Sequence, residues 1–144
     1  FYYSFGITTD GTNLYVADYG NNKIRKVVIS SGVVTTLAGP AAGSTDNGST
    51  DGTGNDARFY YPLGITTDGT NLYVSDNANN KIRKIVISSG VVTTLAGPAA
   101  GTTTSGDTDG TGTDARFNSP AEITSNGTYL YVVEFSNNKI RRIE

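Results

Sequence analysis

The sequence contains no cysteine and no histidine. The first absence excludes disulfides and cysteine-ligated zinc, though it does not fix the compartment, since many secreted bacterial proteins also lack cysteine. The second removes the commonest metal ligand and general base. Charge is sparse too. Charged residues make up 17% of the 144, and the net charge is −2, so neither nucleic acid nor an acidic membrane surface is an expected partner. No apolar run is long enough to span a bilayer and no signal peptide is read at the N-terminus, so membrane insertion is not expected. No window carries a helical apolar stripe of useful length. What remains is a chain rich in Gly, Thr, Ser and Asn with a hydrophobic fraction of 36%. That is polar for a globular protein but is not the profile of disorder, and it suits many short strands joined by turns.

The dominant feature is an internal repeat. The stretch from Gly6 to Val16 returns unchanged from Gly64 to Val74, an offset of 58 residues. It returns once more, diverged, from Ile123 to Val132 at the same offset. The copies divide the chain into residues 1–58, 59–116 and 117–144, the third stopping early. Such self-similarity means one supersecondary unit stacked on its neighbours.

Each copy reads as four short strands. In the first copy these are Ile7 to Thr9, Leu14 to Ala17, Lys23 to Ile29 and Val33 to Ala38. Asp10-Gly11 supplies a tight hairpin, because Gly tolerates positive φ. Asp18 to Asn22 is a loop of residues that bond their own backbone and accept left-handed geometry. The strands do not alternate cleanly. Val27-Val28-Ile29 is apolar on both faces, as a sheet sandwiched between two others requires. Four antiparallel strands per repeat, buried on both faces, point to a β-propeller blade. An ordinary β-sandwich is the rival, and the fixed register of 58 residues argues against it.

The stretches Pro62 to Asp76, Asn79 to Lys84, Val92 to Gly97 and Asp109 to Phe117 resemble the blade pattern of the NHL-repeat family, and the likeness covers essentially the whole chain. It implies an all-β propeller, in which the third blade lacks its last strand. The near-identical copies resemble bacterial members, which implies a surface or secreted location. Amidating lyases of the superfamily use histidine-rich metal chemistry that this chain cannot supply, so an enzyme is not expected.

Propellers usually close with about 4–8 blades. Three blades leave the apolar faces of the first and the last uncovered, which calls for a partner. Two copies of the chain would give six blades. The expected partner is a second copy in a ring-closing homodimer or other oligomer, or the remainder of a longer propeller chain.

The connectors between blades, Gly39 to Tyr61 and Gly97 to Ser119, are longer than they need to be. Returning from the outermost to the innermost strand crosses roughly 15 Å, which about five extended residues cover. Loops of such length are usually functional or disordered. Asp51, Asp107 and Asp109 are weak calcium candidates, because Ser105 to Gly110 places oxygen ligands at alternate positions before a Gly. The simpler reading is that these residues shape turns, with Asp56 and Asp114 capping a short turn ahead of Phe59 and Phe117, which anchor the core. No other cofactor is expected.

Lys23, Arg25 and Lys26 recur as Lys81, Arg83 and Lys84 and as Lys139, Arg141 and Arg142. They alternate along one strand per blade, and the expectation is a solvated edge or pairing with neighbouring-blade carboxylates such as Asp18 and Asp76. The differences between copies are more informative. Tyr19, Asn77 and Phe135 share one register, in the loop where propellers commonly bind partners. Glu122 stands where Gly6 and Gly64 stand, and Glu134 where Asp18 and Asp76 stand. Tyr19, Asn77, Phe135 and Glu122 form the candidate surface for a protein or glycan partner. A structural or protein-binding propeller is the leading functional reading, a carbohydrate or small-ligand binder on the axial face the alternative.

Overall fold

The computed structural model describes residues 1–144. In the first sheet β1 (Ser4–Thr9), β2 (Asn13–Asp18), β3 (Lys23–Val28) and β4 (Val34–Ala38) follow one another as an antiparallel meander. The second adds a short strand from the connector. β5 (Gly52–Thr53) pairs outside β9 (Val91–Ala96), which is followed inward by β8 (Lys81–Val86), β7 (Asn71–Asp76) and β6 (Pro62–Thr67). The third sheet is β10 (Pro120–Ser125), β11 (Leu130–Glu134) and β12 (Lys139–Ile143), with no fourth strand. The three sheets are propeller blades. Their edges lie within a residue or so of the expected strands, except that the innermost strand starts earlier, at Ser4.

Turn chemistry explains the hairpins. The Asp10 carboxylate accepts from the backbone N–H groups of Thr12 and Asn13 at 2.8 and 2.6 Å, and Asp68 does the same one repeat on. Asn126 keeps that geometry in the third blade with its side-chain oxygen. Gly11, Gly69 and Gly127 take φ near +90° at each turn, which a Cβ would disfavour. Tyr15 donates its hydroxyl to Asp10 at 2.7 Å. Burial first, and then Asp10, push the Tyr15 phenol up to about 12.

The apolar side chains gather at the two junctions between blades. Tyr15, Ala17, Ile24 and Ala38 on the trailing face of blade 1 meet Ile65, Leu72, Val74, Ile85 and Val92 on the leading face of blade 2. Ile82 and Ala96 meet Ile123, Leu130 and Val132 in the same way at the second junction. This accounts for the two-sided apolar pattern. The arc leaves its ends bare, and Ile7 is 59% exposed where its equivalent Ile65 is 5%.

The connectors are structural. Besides contributing β5, the first one inserts Ala57 and Phe59 into the junction core, and the second inserts Ala115 and Phe117. The expected anchoring role of both phenylalanines is therefore met. A division of the chain after residue 58 leaves β5 with the first copy although it pairs in the second sheet. The expected capping by Asp56 and Asp114 is not found. Both lie inside a short 3-10 turn that has no side-chain cap, and the turns are held instead by Arg58 and Arg116 donating to nearby carbonyls.

The recurrent Asn-Asn pair joins blades. Asn22 and Asn80 sit at φ of 55° and 56°. Their side-chain oxygens accept from the backbone N–H of Tyr61 and Ser119 in the following blade, at 2.9 Å each. The first asparagine of each pair, Asn21, Asn79 and, in the third copy, Asn137, donates to Asp18, Asp76 and Glu134 at the end of the adjacent strand.

Candidate interaction surface

The innermost strands approach one another closely. A Cβ on Gly6 would lie 2.4 Å from the carbonyl oxygen of Leu63, and one on Gly64 2.4 Å from that of Ala121. Only glycine fits at such a distance. A shift in strand pairing accompanies it, between Ser4 and Ile7 and again between Pro62 and Ile65, and turns residues 5, 63 and 121 toward the mouth at the end of the arc.

That mouth holds an open cavity of about 410 Å³ lined by Tyr3, Phe5, Tyr19, Leu63, Asn77, Ser119, Ala121 and Phe135. These eight residues come from three registers of the repeat: 3, 61 and 119; 5, 63 and 121; 19, 77 and 135. In the strand half, the two nearly identical copies differ at few places, and Phe5/Leu63 and Tyr19/Asn77 are among them. Two of these differences therefore fall on the concave surface, while Ser4/Pro62, Ala17/Ser75, Gly20/Ala78 and Val27/Ile85 do not line it. Its aromatics are organised. Tyr19 stacks on Tyr61 with ring centroids 4.5 Å apart and planes 7° apart, and Phe5 meets Tyr19 edge-on at 5.2 Å. Burial first, and then Tyr61 and Tyr60, raise the Tyr19 phenol above its ordinary value. Polar groups are few, and some are engaged: the Asn77 amide donates to the Pro120 carbonyl at 3.0 Å, and the Ser119 hydroxyl pairs with Ser136.

The structure therefore brings Tyr19, Asn77 and Phe135 together. Glu122 does not line the cavity. It lies exposed on β10 at the free face of blade 3, where Gly6 and Gly64 admit the next blade in their own positions. Glu122 and Glu134 do not form a free carboxylate pair for acid–base or metal chemistry. Glu134 is buried and occupied by Arg141 at 2.7 Å and by the N–H of Asn118. Sequence reasoning missed Tyr3, Phe5 and Leu63. For Phe5 and Leu63 the signal was the difference between copies just ahead of the shared Gly-Ile-Thr; Tyr3, identical to Tyr61, gave none.

The basic residues meet the expected pairing with Asp18 and Asp76, but within one blade rather than between neighbours. Arg83 is not at a solvated edge: it is fully buried, donates to Asp76 of its own blade and to Asp51 of the connector at 2.8 Å each, and lies over the Phe59 ring. Lys81 is also buried and donates to the Ala99 carbonyl. Burial first, and then the neighbouring Arg83, lower the Lys81 ammonium to about 8. Asp76 is raised, burial outweighing the opposing pull of Arg83. The calcium candidates are likewise committed elsewhere. Asp51 holds Arg83, Asp109 holds Arg141, and Asp107 holds Lys139, which draws the Asp107 carboxyl below its usual range. No group of three acidic side chains converges as a metal site would require.

No family model matches the chain. It is 35% identical over 141 residues to the NHL repeat-containing protein 2 of Bos taurus, and 35% identical over 138 residues to that of Homo sapiens. These alignments cover 91% and 89% of the chain but only 19% and 18% of the relatives, so the chain spans about a fifth of their length. These relatives are eukaryotic and lend no support to a bacterial origin. Among solved structures, a protein of unknown function from Bacteroides thetaiotaomicron superposes with a TM-score of 0.78 at 28% identity, over 90% of this chain and 32% of that one. An auxiliary nutrient binding protein from Bacteroides ovatus superposes at 0.77 with 22% identity, over 93% of this chain and 35% of that one, and shares the fold.

Proposed function

Since the chain is made of NHL-type repeats folded as propeller blades, we propose that it is a non-enzymatic interaction scaffold that docks a protein partner on the aromatic mouth of the arc. The exposed aromatic lining of that mouth, whose residues change from copy to copy at Phe5/Leu63/Ala121 and Tyr19/Asn77/Phe135, carries the reading. The lining favours an apolar or aromatic side chain presented by a protein over a sugar, whose hydroxyls need many free polar partners. Exposed, rigid aromatic surface is what protein interfaces use for their central contacts.

The bare ends of the arc support a further partner that covers them, either a second copy or the rest of a longer propeller chain. The leading face of blade 1 and the trailing face of blade 3 are the two halves of a junction that the chain builds twice within itself. Head-to-tail association would cover Ile7, Val133 and Ile140, all exposed in the single chain.

The test of the mouth is a selection of random peptides on the whole chain, repeated on a Phe135→Ala/Tyr19→Ala variant, with a glycan array in parallel. The expected result is a set of peptides with apolar anchors that bind the wild type and lose the variant. Binders indifferent to the double substitution, or oligosaccharides as the sole ligands, would overturn the protein-docking reading.

A further inference from the structure

We propose that Asn126 is a site of spontaneous deamidation, which converts the turn of the third blade to the aspartate form that the first two blades carry. Asp10-Gly11, Asp68-Gly69 and Asn126-Gly127 share one register and one turn. The Asn126 side-chain oxygen accepts from the backbone N–H groups of Thr128 and Tyr129 at 3.0 and 2.8 Å, as Asp10 and Asp68 accept from theirs. Each glycine N–H donates to the hydroxyl two residues back, on Thr9, Thr67 or Ser125, at 3.0 Å.

Only the second side-chain atom differs. Tyr15 and Tyr73 donate their hydroxyls to a carboxylate oxygen at 2.7 and 2.8 Å, whereas the Asn126 nitrogen lies 3.3 Å from the Tyr131 hydroxyl. The position suits an anion. Hydrogen bonds from the Asn13 side chain and then from Tyr15 hold the Asp10 carboxyl well below its ordinary value. At Asp68 burial pulls upward, and the bonds from Asn71, Thr70 and Tyr73 outweigh it. In the third blade Tyr129 stands where Asn13 and Asn71 stand, which leaves two backbone N–H groups and the Tyr131 hydroxyl to hold the new carboxylate. The turn is exposed in all three blades, the flanked second blade included, so solvent reaches it.

The reaction uses only the chain and water. The Gly127 nitrogen, unhindered by a side chain, attacks the side-chain carbonyl carbon of Asn126. Its proton leaves through the Ser125 hydroxyl to solvent. The side-chain nitrogen takes up a proton and departs as ammonia, which leaves a succinimide. The Thr128 and Tyr129 N–H groups face the oxygen on which negative charge develops. Those same donors polarise that carbonyl in the succinimide, so water adds there, breaks the ring C–N bond and returns a proton to the Gly127 nitrogen. The product is aspartate. Addition at the main-chain carbonyl would give isoaspartate, whose extra main-chain carbon does not fit a turn fixed by the Ser125–Leu130 and Thr124–Tyr131 pairings.

The chain has a second Asn-Gly pair, Asn47-Gly48, as an internal control. There the glycine N–H is given to the Phe59 carbonyl at 3.2 Å, which cannot pass a proton on. The whole chain is incubated at mildly alkaline pH, folded and in urea, and both positions are followed by peptide mapping that separates asparagine, aspartate and isoaspartate. In the folded chain position 126 is expected to react at least about tenfold faster than position 47 and to give mainly aspartate. In urea the two react at similar rates and isoaspartate predominates. In the variant Asn126→Asp, amide exchange at Thr128 and Tyr129 is expected to slow at least about threefold, because bonds to a carboxylate are stronger. Equal rates at the two positions of the folded chain, mainly isoaspartate at position 126, or exchange no slower in Asn126→Asp would each overturn the proposal.

Discussion

The guanidinium of Arg83 lies 2.8 Å from the carboxylate of Asp76, and both side chains are wholly buried. The same guanidinium reaches Asp51 of the preceding connector, so one residue joins a blade to the segment that leads into it. Removing one member of such a pair strands the other charge in the core, which costs about 3–5 kcal/mol. Arg83→Met is therefore expected to lose roughly that much in denaturant unfolding. Asp51→Asn, which leaves the buried pair intact, loses about 1 kcal/mol. The double variant Arg83→Met/Asp76→Leu is expected to be more stable than Arg83→Met alone.

Close approach of the innermost strands makes a sharp prediction. Gly64→Ala places a methyl 2.4 Å from the Ala121 carbonyl oxygen and is expected to destabilise by on the order of 2–4 kcal/mol in thermal or chemical unfolding. Gly11→Ala meets no atom but must adopt φ of 87°, and costs about 1 kcal/mol. Equal effects of the two changes would contradict the packing described.

Glu122 occupies the same register at the free face of blade 3. A second copy docking head-to-tail there meets a side chain where the two internal junctions have glycine. Glu122→Gly is expected to raise self-association, read by light scattering across a concentration series. A mass unchanged by the substitution, whether of one chain or of two, would show that this register does not control the seam.

Phe59 and Phe1 are equivalent in sequence and opposite in setting. Phe59 is fully buried in the first junction, whereas Phe1 is 62% exposed. Phe59→Ala is expected to cost about 3–5 kcal/mol, and Phe1→Ala less than about 0.5 kcal/mol. Unfolding midpoints of the two variants settle the comparison.

Lys81 links stability to pH. Its folded value of about 8 lies below the ordinary 10.5. Between those values the unfolded chain binds more protons than the folded one, so stability contributed at this site rises as pH increases from 8 toward 10.5. Lys81→Met, which cannot titrate, is expected to flatten this rise, visible as the difference between the two unfolding curves measured at pH 7.5 and 10.

The repeat of 58 residues, the four-strand unit and the propeller class were legible because strands buried on both faces and hairpins led by Asp-Gly leave local marks. So were Tyr19, Asn77 and Phe135, because near-identical copies make each difference conspicuous. Burial of Arg83 and Lys81 was not legible. An alternating basic strand looks the same at a solvated edge as beneath a connector, and the partners Asp51 and Ala99 lie many residues away in sequence. The same holds for Asp51, Asp107 and Asp109, whose spacing suits a cation-binding loop while their cations are side chains brought in by folding. Tertiary structure alone decided that the long connector adds a fifth strand, and that three scattered registers form one mouth. Sequence specifies which faces are apolar and where the chain turns. Which distant groups then meet depends on the stacking angle and strand approach of neighbouring blades, a property of the assembled arc that no single repeat contains.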